Sequence, residues 1–272
     1  MSEATWSNAV VTRRHDVNAR VALFWIRPDS GDVGAFVPGQ FVQLGLPSEV
    51  SPSVASTTPD APPARVRMVK RSYSIASAPN ERDAYELCIA FVDEGKLTPR
   101  LRGLRVGDRL WCDAAPKGFF TLARIPDGRD LVTIATGTGI APFVSMWRHH
   151  GAEAGRFRRF VAIHGARERS DLAYDQELTA AQRHDPRVRY VPVLSREPGA
   201  GDWHGLRGRV QTALEEATFR EHAGFELRPE GTHVLLCGNP QMIDDVRALL
   251  ETRGFTVDTP KVPGNVHFER YW

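Results

Sequence analysis

Near Asp130 the hydrophobic pattern changes period, and this change limits the folds open to the chain. Downstream of it, short apolar runs alternate with longer segments of helical period. "DLVTIA", "RFVAIHG", "VRYVPVL" and "THVLLCG" read as buried strands. "GIAPFVSMWRHH", "YDQELTAAQRH", "GRVQTALEEATFREH" and "NPQMIDDVRALLETRG" read as the helices that follow them. Strands alternating with helices make a parallel sheet, because each connection must cross back over a face of the sheet. The last helix is punctuated at both ends: Asn239 is its N-cap, Pro240 takes the first position and Gly254 closes it.

Upstream the period is that of strands. "QFVQLGL", "YELCIAFV" and "DRLWCDA" are rich in β-branched and aromatic residues, and "PGQF" and "VGDRL" are tight turns leading into strands. This half is expected to be a small antiparallel β-barrel. The segment of residues 47–64, rich in Pro, Ser and Thr, reads as a surface loop. With the boundary in "ARIPDGRD", the expected units are residues 1–126 and 127–272.

A chain of 272 residues can bury two cores. A formal charge of +2 argues against a general nucleic-acid binder. Lysine occurs at Lys70, Lys96, Lys117 and Lys261 alone, so nearly all basic residues are arginine, the side chain suited to bidentate phosphate contacts. Base composition alone could also produce that bias. Cys88, Cys112 and Cys237 form no C-x-x-C pair, which argues against a zinc site, an iron–sulfur cluster or a disulfide framework. The N-terminus lacks the pattern of a signal peptide and no apolar run is long enough to span a bilayer, so the expectation is a cytoplasmic monomer without a membrane partner.

"ATGTGIAPF" joins a strand to a helix, where Gly137, Thr138 and Gly139 let a pyrophosphate approach the backbone and the helix N-terminus. The motif is G-x-G-x-x-P, with Pro142 in place of the third glycine, and a tight turn without a ligand would read the same way. Ligands of open α/β sheets lie beyond the carboxyl ends of the strands, which here carry "HGAR", "LSRE" and "CGNPQM". Arg167 and Arg196 sit at two of these ends and Arg209 follows in "LRGR". Each alone is an ordinary solvated charge. Together they point to a 2′-phosphate, and hence to NADP rather than NAD.

"RSYSIAS" resembles the R-x-Y-S flavin motif of the ferredoxin–NADP reductase superfamily. "GKLTPRL", "ATGTGIAPF", "HGAR", "LSRE", "CGNPQM" and the aromatic ending "ERYW" follow in the family's order, over nearly the whole chain. The resemblance is greatest to the bacterial ferredoxin (flavodoxin)–NADP reductases. It implies FAD held by Arg71 at the pyrophosphate, Ser72, Tyr73 on one isoalloxazine face, Ser74 at N5, Lys96, Leu97 and Thr98 at the phosphates, and Thr136. It implies Tyr271 on the opposite isoalloxazine face and Trp272 on the adenine. NADP would meet Gly137, Thr138, Gly139, Ala166, Arg167, Ser195, Arg196, Arg209, Asn239, Pro240, Gln241 and Asp245. Cys237 would lie beside the nicotinamide, and Glu269 would be the carboxylate near the flavin. The residues alone leave structural alternatives open: a buried cysteine, a surface glutamate, an alternating β segment. The loop before "RSYS" is longer than in the bacterial relatives, and Phe268 departs from their terminal tail.

The implied activity is an FAD-dependent exchange of hydride with NADP(H) and of single electrons with ferredoxin or flavodoxin. Such acidic partners could be steered by Arg65, Arg67, Lys70, Arg100, Arg102 and Arg105, which could equally be a scattered solvated surface. An oxygenase reductase component, a free-flavin reductase, or a flavin-binding sensor without turnover are the rival readings.

Overall fold

The computed structural model describes residues 6–48, 67–150, 156–198 and 202–270. Tyr271, Trp272, Arg65 and nearly all of the Pro/Ser/Thr-rich segment lie outside the described residues, and so do the roles expected of them.

The first half is an antiparallel barrel of β1 (Ala9–Asp16), β2 (Val21–Pro28), β3 (Phe41–Pro47), β4 (Met68–Ser74), β5 (Tyr85–Ala90) and β6 (Arg109–Cys112), in the order β4-β3-β6-β1-β2-β5. Just past β4, Ile75 bridges to Leu87, and the Ala76 amide donates to the Glu86 carbonyl at 2.8 Å, which closes the barrel. Alternation sets the inward face: Val42, Leu44 and Leu46 of β3 and Tyr85, Leu87 and Ile89 of β5 fill the core. β5 is buried on its other face too, because Glu86 and Cys88 meet the second domain. A short helix, α1 (Thr98–Arg102), follows β5.

The second half is a parallel sheet of β7 (Arg129–Thr136), β8 (Phe157–Ala166), β9 (Val188–Leu194), β10 (Leu206–Arg207), β11 (Thr232–Gly238) and β12 (Val266–Arg270), in the order β10-β9-β8-β7-β11-β12. The helices are α2 (Ala141–His150), α3 (Asp175–His184), α4 (Glu216–Ala223) and α5 (Pro240–Thr252). Both faces of the sheet are covered. Val132, Ile134, Val161, Leu236 and their neighbours pack under α4 and α5, while Leu131, Ala135, Phe160 and Leu235 pack under α2 and α3. That double burial is why these strands read as continuous apolar runs.

Asn239 caps α5 through its side chain, which accepts from the amides of Gln241 and Met242, and Gly254 takes a φ of +83° beyond its end. The segment expected as one helix at "GRVQTALEEATFREH" is split. A 3-10 turn spans Val210–Leu214, and Glu215 adopts an extended ψ of 136° before α4 begins. Arg253 takes the Leu214 carbonyl as acceptor at 2.6 Å, which satisfies that group outside the helix ladder.

The two halves share an interface. Val21, Leu23, Ala76 and Cys88 of the barrel pack with Ala141 and Ala173. Arg148 on α2 donates to Ala76 O at 3.1 Å and pairs with Glu86 at 2.7 Å and Glu177 at 2.8 Å. Phe120, Leu122 and Ile125 pack into the core under α2, ahead of the expected boundary at 126/127.

Candidate active site

The sheet order places β7 between β8 and β11, so the chain turns to opposite sides after β7, which makes the switch point where α/β ligands bind. Two turns meet there. After β7, Gly137–Ile140 forms a 3-10 turn that runs into α2. After β11, Gly238 has a φ of +130°, and the Asn239 amide donates to Thr136 Oγ1 at 2.9 Å. Each turn has one glycine that tolerates no side chain, Gly139 in the first and Gly238 in the second. A Cβ on Gly139 would lie 2.3 Å from the Cys237 carbonyl oxygen, and one on Gly238 would lie 2.4 Å from Thr136 Oγ1.

Beyond these turns opens a crevice of about 650 Å³. Its walls include Thr136, Gly137, Thr138, Ala166, Arg167, Ser195, Arg196, Arg209, Asn239, Gln241 and Asp245, so most of the expected nucleotide residues converge on one cavity. Gly139 and Pro240 are not among the lining residues; they shape it from behind, as the contact with β11 and the first residue of α5. Thr136, expected on the flavin side, stands in the crevice wall with its hydroxyl held by Asn239.

Arg167 and Arg196 are side by side. The Arg196 amide donates to the Arg167 carbonyl at 2.8 Å, and the Ser195 hydroxyl donates to Ala166 O at 3.1 Å. Both arginines are exposed, and neither carries a salt bridge among the described residues. Arg209 is 3.9 Å from Asp245, a carboxylate held by the side chains of Gln241 at 2.7 Å and Gln211 at 3.2 Å. Two exposed guanidinium groups on one ledge make a ready anion clamp.

The flavin-side residues lie on β4 and on the turn after β5. Arg71 and Ser72 are exposed. Tyr73 packs against the barrel core, and its buried hydroxyl has no hydrogen-bond partner among the described residues. An orphaned buried hydroxyl is costly unless a ligand group completes it, which fits a bound cofactor with acceptor oxygens. Leu97 is buried in the barrel core and Lys96 is exposed. The Thr98 hydroxyl is engaged within its own turn, accepting from Val92 N at 3.0 Å and donating to Val92 O at 2.9 Å. That bond holds Val92 and Phe91 against the nucleotide crevice, which they line from the barrel side.

Ser74, Cys237 and Glu269 come together from three distant parts of the chain. The Ser74 hydroxyl is 3.5 Å from Glu269 Oε2, at the outer limit of hydrogen bonding. Glu269 on β12 is the register partner of Cys237 on β11, which in turn pairs with Ala135 just before the glycine turn. Burial pushes the Glu269 carboxyl up to about 7, with the Ser74 hydroxyl opposing that shift. Of the two other cysteines, Cys112 is pushed up to about 12 by burial and then by nearby Asp113, and Cys88 is raised further by burial; both are inert core thiols.

Two residues of the site, Arg20 and Gln211, carry no local sequence signal, and a third lies behind it inside a strand-end motif. Arg20, in the hairpin between β1 and β2, lines the crevice while pairing with Glu168 at 2.9 Å and Asp171 at 3.0 Å of the other domain. Gln211 supports Asp245 from the 3-10 turn before α4. His164, within "HGAR", lies beneath the glycine turn. Several of the expected steering charges are otherwise engaged: Lys70 lies 3.2 Å over the Trp111 ring, Arg102 pairs with Asp93 at 2.7 Å, and Arg100 donates to the Pro47 carbonyl.

Known proteins share this arrangement. Residues 133–248 match the family model of the oxidoreductase NAD-binding domain. A flavodoxin/ferredoxin–NADP reductase of Shigella flexneri is 36% identical over 273 residues, covering 99% of this chain and 100% of the relative. The one of Escherichia coli K12 is 35% identical over the same extent. Among solved structures, a ferredoxin NADP+ reductase from Neisseria gonorrhoeae with bound FAD and NADP superposes with a TM-score of 0.82 at 27% identity, covering 99% of this chain and 100% of that one. With full-length identity above one third and a shared two-domain architecture, the chain belongs to the flavodoxin/ferredoxin–NADP reductase family.

Proposed function

We propose that the protein is an FAD-dependent reductase that exchanges hydride with NADP(H) and single electrons with ferredoxin or flavodoxin. One observation carries this reading: Ser74 and Glu269 meet beside Cys237, and Cys237 leads directly into the Gly238–Asn239 turn that lines a crevice edged by Arg167 and Arg196. Residues 1–126 would form the FAD-binding unit and residues 127–272 the NADP-binding unit. FAD, when bound, supplies the two-electron to one-electron conversion. Arg71, Tyr73, Ser74, Lys96, Leu97 and Thr98 would hold it. Gly139 and Gly238 let the turns after β7 and β11 pack against each other, and Cys237 and Glu269 would border the place where hydride passes. Anaerobic addition of NADPH to the purified yellow protein should bleach it, and subsequent addition of oxidised flavodoxin or ferredoxin should restore the colour. A protein that does not bleach overturns the proposal.

The arginine ledge sets the choice of nicotinamide cofactor. Arg196→Ala should weaken NADPH binding by about 1.5–2 kcal/mol, the scale of one charged hydrogen bond at an exposed site, while use of NADH barely changes. Equal losses for the two cofactors in steady-state assays would show that Arg196 does not read the 2′-phosphate.

Two exposed apolar side chains support a docking face for the partner protein beside the transfer end. Val37 is 48% exposed and Phe119 is fully exposed. Both adjoin Gln40: the Gln40 amide donates to Val37 O at 3.1 Å, and Gln40 Nε2 donates to Gly118 O at 3.3 Å. Gln40 O accepts from the Ile75 amide at 3.0 Å, next to Ser74, so this apolar pair flanks the electron-transfer end. Burying one phenyl ring contributes about 1.5–3 kcal/mol. Phe119→Ser should therefore raise KM for the redox protein about tenfold or more and leave reduction by NADPH unchanged; an unchanged KM would place the docking face elsewhere.

A further inference from the structure

α2 leaves the glycine turn at Ala141 and packs against the barrel. Ser145 and Arg148 stand at i and i+3 on this helix, so both face the same side of it. Ser145 is fully buried, and its hydroxyl donates to the Ser77 carbonyl at 2.7 Å. A helical serine commonly turns its hydroxyl back to a carbonyl of its own helix; this one reaches across the domain boundary. Arg148 donates through Nη1 to the Ala76 carbonyl at 3.1 Å and to Glu86 Oε2 at 2.7 Å. Its Nε and Nη2 donate to the two oxygens of Glu177 on α3, at 2.8 Å each. Carboxylates from both domains thus fix the plane of the guanidinium.

The two carbonyls belong to the segment that follows Ser74. On its other side this segment stays in the barrel: the Ala76 amide donates to the Glu86 carbonyl at 2.8 Å, and the Ser77 hydroxyl accepts from the Glu86 amide at 3.2 Å. Ala76 and Ser77 are buried, so their carbonyls need donors. Two donors on one helix face, meeting two consecutive carbonyls, set both the rotation of α2 and its position along its own axis. Other contacts across the interface act differently. Val21, Leu23 and Cys88 meet Ala141 and Ala173 through apolar surface, which is non-directional and allows sliding. Arg20 pairs with Glu168 and Asp171, which holds the turn after β8 rather than α2. α2 therefore starts at the turn that lines the nucleotide crevice and is fastened, about one to two turns further on, beside the strand end that carries Ser74.

We propose that Ser145 and Arg148 are positioning residues for hydride transfer: by gripping the carbonyls of Ser77 and Ala76, they hold the nucleotide crevice in register with Ser74. This rests on the hydride-transfer reading of the site. It predicts a loss of alignment without a loss of binding to either cofactor.

The test uses the FAD-loaded enzyme with Ser145→Ala, and with Arg148→Lys, which keeps the charge between Glu86 and Glu177 but lacks the planar fork that meets all the acceptors. Single-turnover reduction by saturating NADPH should slow about three- to tenfold in Ser145→Ala and about ten- to a hundredfold in Arg148→Lys. The reverse reaction, NADP+ with chemically reduced enzyme, should slow by the same factor, because alignment acts on the transition state and leaves the equilibrium alone. FAD content, the Kd for NADP+ and oxidation of the reduced enzyme by ferricyanide should stay within about twofold of wild type. A readout independent of turnover is amide hydrogen exchange across residues 75–78 without NADP(H), which should speed up about tenfold in both variants. If Arg148→Lys does not fold, Ser145→Ala carries every comparison. Wild-type hydride-transfer rates, unchanged exchange, or a loss confined to one direction in the folded variants overturn the inference. So does a slowdown that lost FAD or a weaker Kd for NADP+ accounts for. Wild-type protein that NADPH does not reduce overturns the hydride-transfer reading and this inference with it.

Discussion

Gly139→Ala is expected to abolish reduction by NADPH while leaving FAD in place. A methyl group at this position would meet backbone on every near side: the Cys237 carbonyl oxygen at 2.3 Å, its carbon at 2.7 Å and Gly238 Cα at 3.0 Å. None of these atoms can rotate away as a side-chain tip would. Either the Gly137–Ile140 turn lifts off β11, or the end of β11 retreats. Both movements separate the glycine turn from Cys237 and Glu269, the residues proposed to border the transfer point. Overpacking of this kind costs about 1–3 kcal/mol in stability. The catalytic cost should be larger, because a displacement of about 1 Å can lower a rate about a hundredfold. The barrel residues that would hold FAD are untouched. Gly137→Ala supplies the comparison. Its φ of +54° brings strain of about 1–2 kcal/mol, but no atom lies within 4 Å of its Cβ, so activity should fall far less. Stopped-flow reduction, FAD content and thermal melting of the two variants separate the cases. Similar activity in both would show that the close approach of Gly139 to β11 has no part in catalysis.

The two-domain plan was legible because β7, β8, β9 and β11 are buried on both faces, and such strands show as unbroken apolar runs. β10 and β12 were not legible. β10 has two residues. β12, "VHFER", mixes charge with apolar residues because it is the edge of the sheet. The break between the 3-10 turn and α4 was hidden too: Arg253 satisfies the Leu214 carbonyl from far along the chain, and no local pattern reports that. The glycine turn and the arginine ledge were readable from strand ends, since in a parallel sheet every carboxyl end faces the same crevice. Arg20 could not be found that way. It reaches the crevice from a hairpin of the other domain, and only the packing of the two halves brings it there. Likewise, nothing local to Glu269 tells it apart from a surface glutamate. Its partial burial follows from β12 lying beside β11, with Ser74 approaching from the barrel.

That burial makes the Ser74–Glu269 pair pH-sensitive within the working range. The Ser74 hydroxyl has one hydrogen. When Glu269 is ionised, the carboxylate accepts that hydrogen. When Glu269 is protonated, its own O–H can donate to Ser74 Oγ, so the carboxyl no longer takes the serine hydrogen and the bonding that the proposed role of Ser74 at the flavin depends on changes. With the Glu269 carboxyl pushed up to about 7, reduction of the FAD-loaded enzyme by NADPH should be fastest below that pH and decline as pH rises through it. Stability should follow the same sign. The folded state favours the neutral acid, so the contribution present below pH 4.5 is lost as pH climbs toward 7. Glu269→Gln keeps a donor toward Ser74 at every pH. It should flatten both profiles and hold reduction near the low-pH plateau. Ser74→Ala should slow reduction by about ten- to a hundredfold, the worth of a hydrogen bond of about 1.5–3 kcal/mol, and should remove the decline near pH 7 because the hydroxyl that Glu269 controls is gone. Rapid-mixing reduction of wild type and both variants between pH 5 and 9, with melting curves across the same range, tests the pair. A decline near pH 7 that persists in Glu269→Gln would assign the titration to another group and reduce Glu269 to a packed carboxylate beside the site.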